Sequence, residues 1–478
     1  MNQTQEGRPD EMTPAEAASS RAEGLWDATS GMPRFEEPDW TQVAVERSTM
    51  RKLQRRSDLP GLARFGAYLG LLVGFGALTV LAHPLWLKVI LFLAYATVYG
   101  FSEPILHETH HRTPFRSLWI NEVAHHISGL FAFKEPLRDR WLHAGHHTYT
   151  YYSEIDPEIA TDRPPQFGTL IFDFMRIHNA LVNWLWPTIR TAFVGPDDLA
   201  RRWVPKAYHR KLIWSARACV AFYLGVIALA VAIGSWYPIL FIFVARFVGA
   251  PLHSWVTFIQ HAGLEENVAD WRENTRTVYM NPLLRLLYWN MNYHVEHHMH
   301  PTVPFHSLAR LHEEIASESP PPYPNTLVAW NEMIRALWRQ RREPSYSVHR
   351  PAPSLREPAR CVGREPRDRR RAWGVVTMAW VAVAAAEEIE EEDVIEVSVG
   401  ELVLAIYRTR DGYFATDGIC SHQRAHLAEG LVMGNIIECP KHQGRFDVRD
   451  GSAKGPPAAI ALRTHPVKIA DGRVHVDI

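Results

Sequence analysis

Four apolar runs, paired into two hairpins, constrain this chain more than any other feature. They cover residues 65 to 81, 85 to 101, 216 to 233 and 238 to 256. Each is about 17 to 20 residues long, and at roughly 1.5 Å of rise per helical residue that crosses the hydrocarbon of a bilayer. His83-Pro84 breaks the first pair and Gly234-Ser235-Trp236-Tyr237 the second, while Arg246 and His253 make the fourth run the least regular. Two hairpins return the chain to its starting side after each pair. The connecting turns carry almost no charge, whereas the flanks at 51 to 56, 134 to 140 and 201 to 211 are rich in Lys and Arg. The positive-inside rule then puts everything after each hairpin on the cytoplasmic side. The competing reading is four buried helices of a soluble protein.

Histidine is concentrated just beyond the two hairpins. The chain has 25, and they cluster as His107-Glu108-Thr109-His110-His111 and His143-Ala144-Gly145-His146-His147 after the first pair, and as His294-Val295-Glu296-His297-His298 after the second. Positions i, i+3 and i+4 share one face of a helix, so the spacing predicts that His294, His297 and His298 converge on one metal. Imidazole suits iron, zinc, copper and nickel alike, so ligand type does not choose the metal. His107, His111, His143, His146, His147, His294, His297 and His298 make a set too large for one ion, which implies two. His107-Glu108-x-x-His111 also fits an intramembrane zinc metalloprotease, with Glu108 as base, but that leaves the other two clusters unexplained. A metal transporter or sensor would carry its ligands inside the spans rather than beyond their ends. His110, His125, His126, His253, His300 and His306 are read as supporting polar groups.

The rest of the chain reads as a multi-domain arrangement. Residues 1–56 form a polar leader without the pattern of a signal peptide. Residues 57–342 form the helical membrane domain, with an interfacial helix over 167 to 193, where Trp184 and Trp186 alternate with Arg176, Asn179 and Asn183. Residues 343–372 are a Pro- and Arg-rich linker. From 373 to 478, short Val, Ile and Tyr runs broken at Gly400, Asp411-Gly412, Gly434 and Asp471-Gly472 predict a small all-β domain. Its acidic run, 387 to 393, is read as a solvated turn in preference to a face for a partner. The formal charge of -1 offers no electrostatic footprint for nucleic acid. Four scattered cysteines do not make a disulfide framework.

Inside the β domain, Cys420-Ser421-His422 and Cys439-Pro440-Lys441-His442 form two ligand pairs. Two thiolates and two imidazoles suit a 2Fe-2S centre with Cys on one iron and His on the other, and zinc could use the same set. The framing by Asp417-Gly418-Ile419 and Gln443-Gly444-Arg445-Phe446-Asp447 resembles the Rieske family, specifically the ferredoxins of bacterial ring-hydroxylating oxygenases. Respiratory Rieske proteins carry two further cysteines where Ala425 and Lys441 stand here. The resemblance implies an oxygenase-type electron donor of lower potential.

The histidine clusters in turn resemble the three boxes of membrane fatty acid desaturases and related hydroxylases. The first is His107 and His111 in His-Glu-x-x-His-Arg-Thr-Pro-Phe, the second runs from Trp141-Leu142-His143 to Asp156-Pro157-Glu158, and the third is framed by Asn292-Tyr293 and Pro301-Thr302-Val303-Pro304. Family members place one more ligand after the last span, where His261 stands in Gln260-His261-Ala262-Gly263. The resemblance implies a di-iron centre held by nine histidines, with dioxygen as co-substrate. Some acyl desaturases have Asn four residues before that ninth histidine, to hold a metal-bound water, and here it is Thr257. Two residues separate His143 from His146, against three in alkane hydroxylases, which favours desaturation. The His298-Met299-His300-Pro301 ending leans towards hydroxylation.

Together these readings predict an integral protein of a bacterial inner membrane with both metal sites on the cytoplasmic face. Electrons would pass from the Rieske cluster to the di-iron centre, which would desaturate, or alternatively hydroxylate, an acyl or other lipid-like substrate drawn from the bilayer. No Gly-rich dinucleotide fingerprint precedes a helix, so a separate flavin-dependent NAD(P)H reductase is expected as partner.

Overall fold

A computed structural model describes residues 38–159, 161–355, 380–422, 425–441, 443–455, 458 and 460–478. The chain divides into a helical part followed by an antiparallel β part. Four helical stretches are long and apolar enough to cross a membrane: Arg47–Leu81, Leu85–His110, Lys206–Ala232 and Tyr237–Thr257. Their outer faces and hairpin tips expose Leu81, Leu85, Trp86, Val231 and Trp236, as side chains facing lipid would be. Near the tips Lys88 donates to Val80 O at 3.0 Å and to the Tyr237 hydroxyl at 2.9 Å, tying the two hairpins together.

The second and fourth stretches cross at backbone contact. A Cβ built on Gly249 would sit 1.7 Å from Ala96 O, and one on Gly100 would sit 2.4 Å from Gly249 O. Small residues at such a crossing let dispersion act along the whole contact. Arg246 faces inward in the fourth stretch, fully buried and paired with Glu103, so the charge that interrupts this run in sequence never meets lipid. The same stretch contains a π-helical turn, Leu240–Val244, and Pro251 within Ala245–Thr257.

Between the hairpins, Phe167–Phe174, a π-helical Asn179–Leu185 and Trp186–Phe193 follow one another, exposing Ile171, Phe172, Trp186 and Phe193. Segments outside the spans pack more tightly than their polarity suggests. Trp40 and Val43 are buried against the third histidine box, where Trp40 stacks on Trp271 at 4.3 Å and His300 Nε2 donates to Val43 O at 3.3 Å. Val348 N–H donates to Gly263 O at 2.9 Å, so the chain remains bound to the helical part beyond residue 343.

Among the described residues, the β part has eleven strands in three antiparallel sheets. The first contains β1 (Trp380–Ala385), β11 (Arg473–Asp477) and β10 (Val467–Ala470), in that order. The second orders β2 (Asp393–Val399), β3 (Leu402–Thr409), β4 (Gly412–Asp417) and β9 (Thr464–His465). The third orders β5 (Leu431–Met433), β6 (Ile436–Glu438), β7 (Arg445–Asp447) and β8 (Ala453–Gly455). Gly434, at φ 58°, closes the β5–β6 hairpin in a conformation that costs glycine little.

Most of the acidic run of the β part is exposed, as expected of a solvated turn, but two of its residues meet the basic run before the first span. Asp393 accepts from Arg47 at 2.6 Å and pairs with Arg51 at 3.3 Å, and Glu390 accepts from Arg51 at 2.8 Å. Arg56, from the basic run before the first span, reaches the buried Glu438 of β6 with an Nη1–Oε2 distance of 2.9 Å. A basic stretch that reads as a topology signal therefore also binds the β part to the helical part. Sequence texture could not reveal this, because the partners lie more than 300 positions apart.

Candidate metal centres

Each histidine box sits on a short helix with identifiable ends. Ser102–His110 is the end of the second membrane-length stretch, with His107 in its last turn and His111 as its C-cap. Pro136–Thr148 begins with proline in its first turn, and its N-cap Glu135 accepts from the N–H groups of Leu137 and Arg138. His294–Met299 stops at His300, directly before Pro301, since the residue preceding proline is driven out of the helical region.

The described residues contain two sets of imidazoles suited to metal. His107, His111, His143, His147 and His297 form one, with ligand atoms all within 4.8 Å of one another. His146, His261 and His298 form the other. His294 joins the second, its Nε2 lying 3.1 Å from His261 Nε2 and 3.2 Å from His298 Nε2. The sets adjoin, with the His147 and His298 rings stacked at 4.2 Å.

The third box does not converge on one point as its spacing predicts. His297 Nε2 faces His107 Nε2 at 2.8 Å, in the first set, while His294 and His298 stay in the second. At about 100° per residue, offsets of three and four fall on either side of the starting position. The helix thus straddles two sites. The second box divides likewise, with His143 and His147 in one set and His146 in the other.

Nitrogen faces nitrogen throughout, at 3.0 Å for His111 and His143 and 3.1 Å for His143 and His147. Adjacent ligands on a metal with bonds of about 2.1 Å stand roughly 3.0 to 3.4 Å apart, so these separations match the edges of coordination polyhedra. The opposite ring nitrogens have their own partners. His143 Nδ1 meets Glu158 at 3.1 Å, His146 Nδ1 meets Asp156 at 2.9 Å, His261 Nδ1 meets Asn274 O at 3.0 Å, His294 Nδ1 meets Gln260 at 3.1 Å and His298 Nδ1 meets Thr150 at 3.2 Å. The oxygen partners of His143, His146, His261 and His298 accept from Nδ1, which fixes the tautomer and aims Nε2 inward, whereas the Gln260 atom facing His294 is its amide nitrogen, a donor.

Electrostatics agrees with that arrangement. Burial, then neighbouring imidazoles, push His143, His147, His294, His297 and His298 well below the ordinary imidazole range. Burial lowers His111 and His261 to about 3. The rings are neutral at physiological pH, with lone pairs available to metal. His146 differs: burial lowers it, but Asp156 outweighs that effect and raises it. The residues fit a pair of metal ions.

Glu108 stands behind this array and not within it, its Oε1 3.8 Å from His297 Nδ1, on the opposite side of that ring from the nitrogen that faces His107. Its carboxylate is fully buried and accepts from Thr113 Oγ1 at 3.2 Å and Phe305 N–H at 3.3 Å. A protease base would face the metal-bound water, so the metalloprotease reading has no geometric support. The remaining histidines serve as supports: His125 Nε2 meets Pro136 O at 3.0 Å and His110 Nε2 lies 3.1 Å from Asp139. The Thr257 hydroxyl donates to His253 O at 3.0 Å.

A cavity of about 770 Å³ opens onto both sets through His107, His143, His146, His261 and His294. Leu106, Leu142, Phe258 and Met291 line it, together with the interfacial residues Val182 and Trp186.

In the β part, Cys420 and Cys439 are buried in one apolar cluster with Tyr407, Leu427 and Phe446. Burial and then the two nearby sulfurs raise the Tyr407 hydroxyl. Backbone bonds fix both loops, Cys420 N–H to Ala425 O at 2.9 Å and Cys439 N–H to Gly444 O at 2.8 Å. His422 is held down to about 4 by burial, which keeps its lone pair available. His442 lies outside the described residues. Two thiols and a neutral imidazole carried on two loops of one domain fit an iron-sulfur cluster.

Buried imidazoles in two adjoining sets, beside a β domain with Cys–His loops, define an oxidoreductase built around protein-bound metal. The chain belongs to the fatty acid desaturase family, whose model matches residues 84–330, and it carries a Rieske [2Fe-2S] domain over 379–466. The Rieske domain supports a 2Fe-2S cluster. Over 103 residues, 22% of this chain and 99% of the relative, it is 41% identical to the ferredoxin component of the naphthalene 1,2-dioxygenase system of Pseudomonas putida. It is 36% identical over 99 residues, 21% of this chain and 92% of the relative, to the anthranilate 1,2-dioxygenase ferredoxin subunit of Burkholderia cepacia. Among solved structures, the Sphingomonas yanoikuyae B1 ferredoxin is 35% identical, with a TM-score of 0.20, covering 21% of this chain and 99% of that one.

Two residues with a place at the site are ones that spacing alone does not single out. Asn274 meets His261 through its backbone carbonyl, which carries no residue-type signal, and Gln443 reaches His111 from 332 positions away. Asp156 and Glu158 lie ten and fifteen positions after the histidines they meet, and a carboxylate shortly after a metal-type box is a usable sequence signal.

Proposed function

We propose that this protein is an oxygen-dependent membrane oxidoreductase that desaturates a fatty acyl or other lipid-like substrate, with its own Rieske domain as the immediate electron source. The observation that carries the reading is the pair of imidazole sets opening onto one cavity at the ends of the membrane-length helices. Two irons held by His107, His111, His143, His146, His147, His261, His294, His297 and His298 would supply reductive activation of dioxygen. Cys420, His422, Cys439 and His442 would hold the cluster.

The chain's residues would bind, orient and exclude water. Leu106, Leu142, Phe258 and Met291 offer an apolar wall to an alkyl chain, and Lys134 and Arg190, also on the cavity wall, offer positive charge to a polar head. Phe172 and Trp186, exposed on the interfacial helices, give the cavity a neighbour in the bilayer from which such a molecule could arrive. Lys and Arg in the flanks favour the cytoplasm for both metal sites. Reduction of the cluster would fall to a separate flavin-dependent NAD(P)H reductase.

Membranes containing the protein, supplied with such a reductase, NAD(P)H and oxygen, test the reading by the mass of the lipid products. Loss of two hydrogens is the expected result. Gain of one oxygen assigns hydroxylation instead, and unchanged lipids with no oxygen consumption overturn the proposal.

A further inference from the structure

Among the described residues, one of the site's Nδ1 contacts leaves the helical part altogether. His111 Nδ1 lies 3.0 Å from Oε1 of Gln443, in the loop between β6 and β7. Gln443 is buried and has a φ of 54°, a backbone conformation uncommon for a residue with a side chain. Its own N–H donates to Cys439 O at 3.1 Å. The loop that carries a cluster cysteine thus bends to present one amide to one histidine of the first imidazole set. Around this contact, His110, Arg140, Lys441 and Gln443 line a closely packed gap between the two parts, and the Trp141 ring lies 6.5 Å from that of His422.

We propose that Gln443 is a positioning residue that couples docking of the Rieske domain to the histidine centre, orienting His111 and forming a hydrogen-bonded path for an electron between the two sites. This rests on the reading that the cluster feeds that centre. A ring whose Nε2 faces metal carries its proton on Nδ1, so His111 donates and the Gln443 carbonyl accepts. The path runs from the Cys439 peptide through one hydrogen bond to Gln443, and through a second to His111. Because the acceptor belongs to the other domain, the bond exists only when the domains are docked. Separation would leave His111 with a different partner or none, so the centre is fully assembled only when its electron source is in place.

A reduced cluster would give up one electron and return to its oxidised state, and the histidine centre would gain one reducing equivalent. Two such transfers and two protons, with the two hydrogens taken from the substrate, reduce one dioxygen to two waters. The reductase supplies the electrons.

The test uses the full-chain holoenzyme under anaerobic conditions. One reducing equivalent per chain from dithionite bleaches the cluster absorption, which recovers as the electron moves on, and electron paramagnetic resonance then reports the half-reduced histidine centre. Gln443→Leu should bleach as the wild type does but recover about tenfold more slowly, the lower end of the effect of losing such a ligand partner. Gln443→Glu, which keeps an acceptor, should recover close to the wild-type rate with a shifted resonance, because a negative charge then faces His111. Wild-type recovery in Gln443→Leu, or an unshifted signal in Gln443→Glu, overturns the proposal. If Gln443→Leu assembles no cluster, the Gln443→Glu signal decides alone. A wild-type protein whose bleached cluster never recovers instead refutes the underlying reading.

Discussion

Replacing Arg56 by alanine tests how firmly the Rieske domain is held. The Arg56 and Glu438 side chains are 3% and 0% exposed, and Arg445 Nε also donates to Glu438, at 2.7 Å. Burial raises the Glu438 carboxyl, but Arg56 and Arg445 outweigh it and hold the group below its usual range. Removing one partner of a fully buried pair costs about 3 to 5 kcal/mol, because the remaining charge stays desolvated. Arg445 still neutralises Glu438 in Arg56→Ala, and undocking lets Glu438 reach water, so about 2 to 3 kcal/mol is the expected loss. That shifts the docked-to-undocked ratio by about 30- to 140-fold. Hydrogen exchange read by mass spectrometry, over peptides spanning 51–56 and 436–445, should accelerate by a factor in that range where exchange proceeds through undocking. Arg56→Lys should lie between, since a lysine restores charge without the fork. Exchange unchanged in an Arg56→Ala protein that retains its cluster would mean that this pair does not hold the domains together in solution.

Asp156→Ala removes the carboxylate behind His146 Nδ1 and should lower iron content or activity about 10- to 100-fold, as metal analysis of purified protein would show. Gly249→Val places a branched side chain against Ala96 O and should destabilise the crossing by about 1 to 3 kcal/mol or more, seen as a lower melting temperature in detergent. Glu122 is held down to about 2 because Arg140 and Arg112 outweigh the upward push of burial. A carboxylate depressed in the folded state contributes stability above its unfolded value of about 4.5 and loses it as pH falls towards 2. Glu122→Gln should therefore flatten the acid side of the stability profile, and an identical acid limb in both proteins would contradict it. Cys439→Ser should abolish the cluster absorption while leaving iron at the histidine sites, and a retained cluster spectrum would remove Cys439 from the ligand set.

Much of the architecture was legible in the sequence. Apolar length is a local property, so the four membrane-length helices and the turn-punctuated β domain could be read directly. The histidine boxes were equally plain, since few other roles put three imidazoles within five positions. The division of each box was not legible. The offset of His297 from His294 gives an angle around one helix, but the site that each ring meets depends on where the neighbouring helices lie.

Local sequence by itself determined the inventory: spans, boxes, paired Cys–His loops and their order, each fixed by composition and spacing within a few tens of residues. Tertiary structure alone decided which imidazoles share a site and that Arg47, Arg51 and Arg56 meet Asp393, Glu390 and Glu438. It also decided that Gln443 reaches His111. Those contacts join segments from about thirty to several hundred positions apart. Hydrogen bonds and ion pairs depend on distances of a few ångströms, which no spacing along an unfolded chain contains.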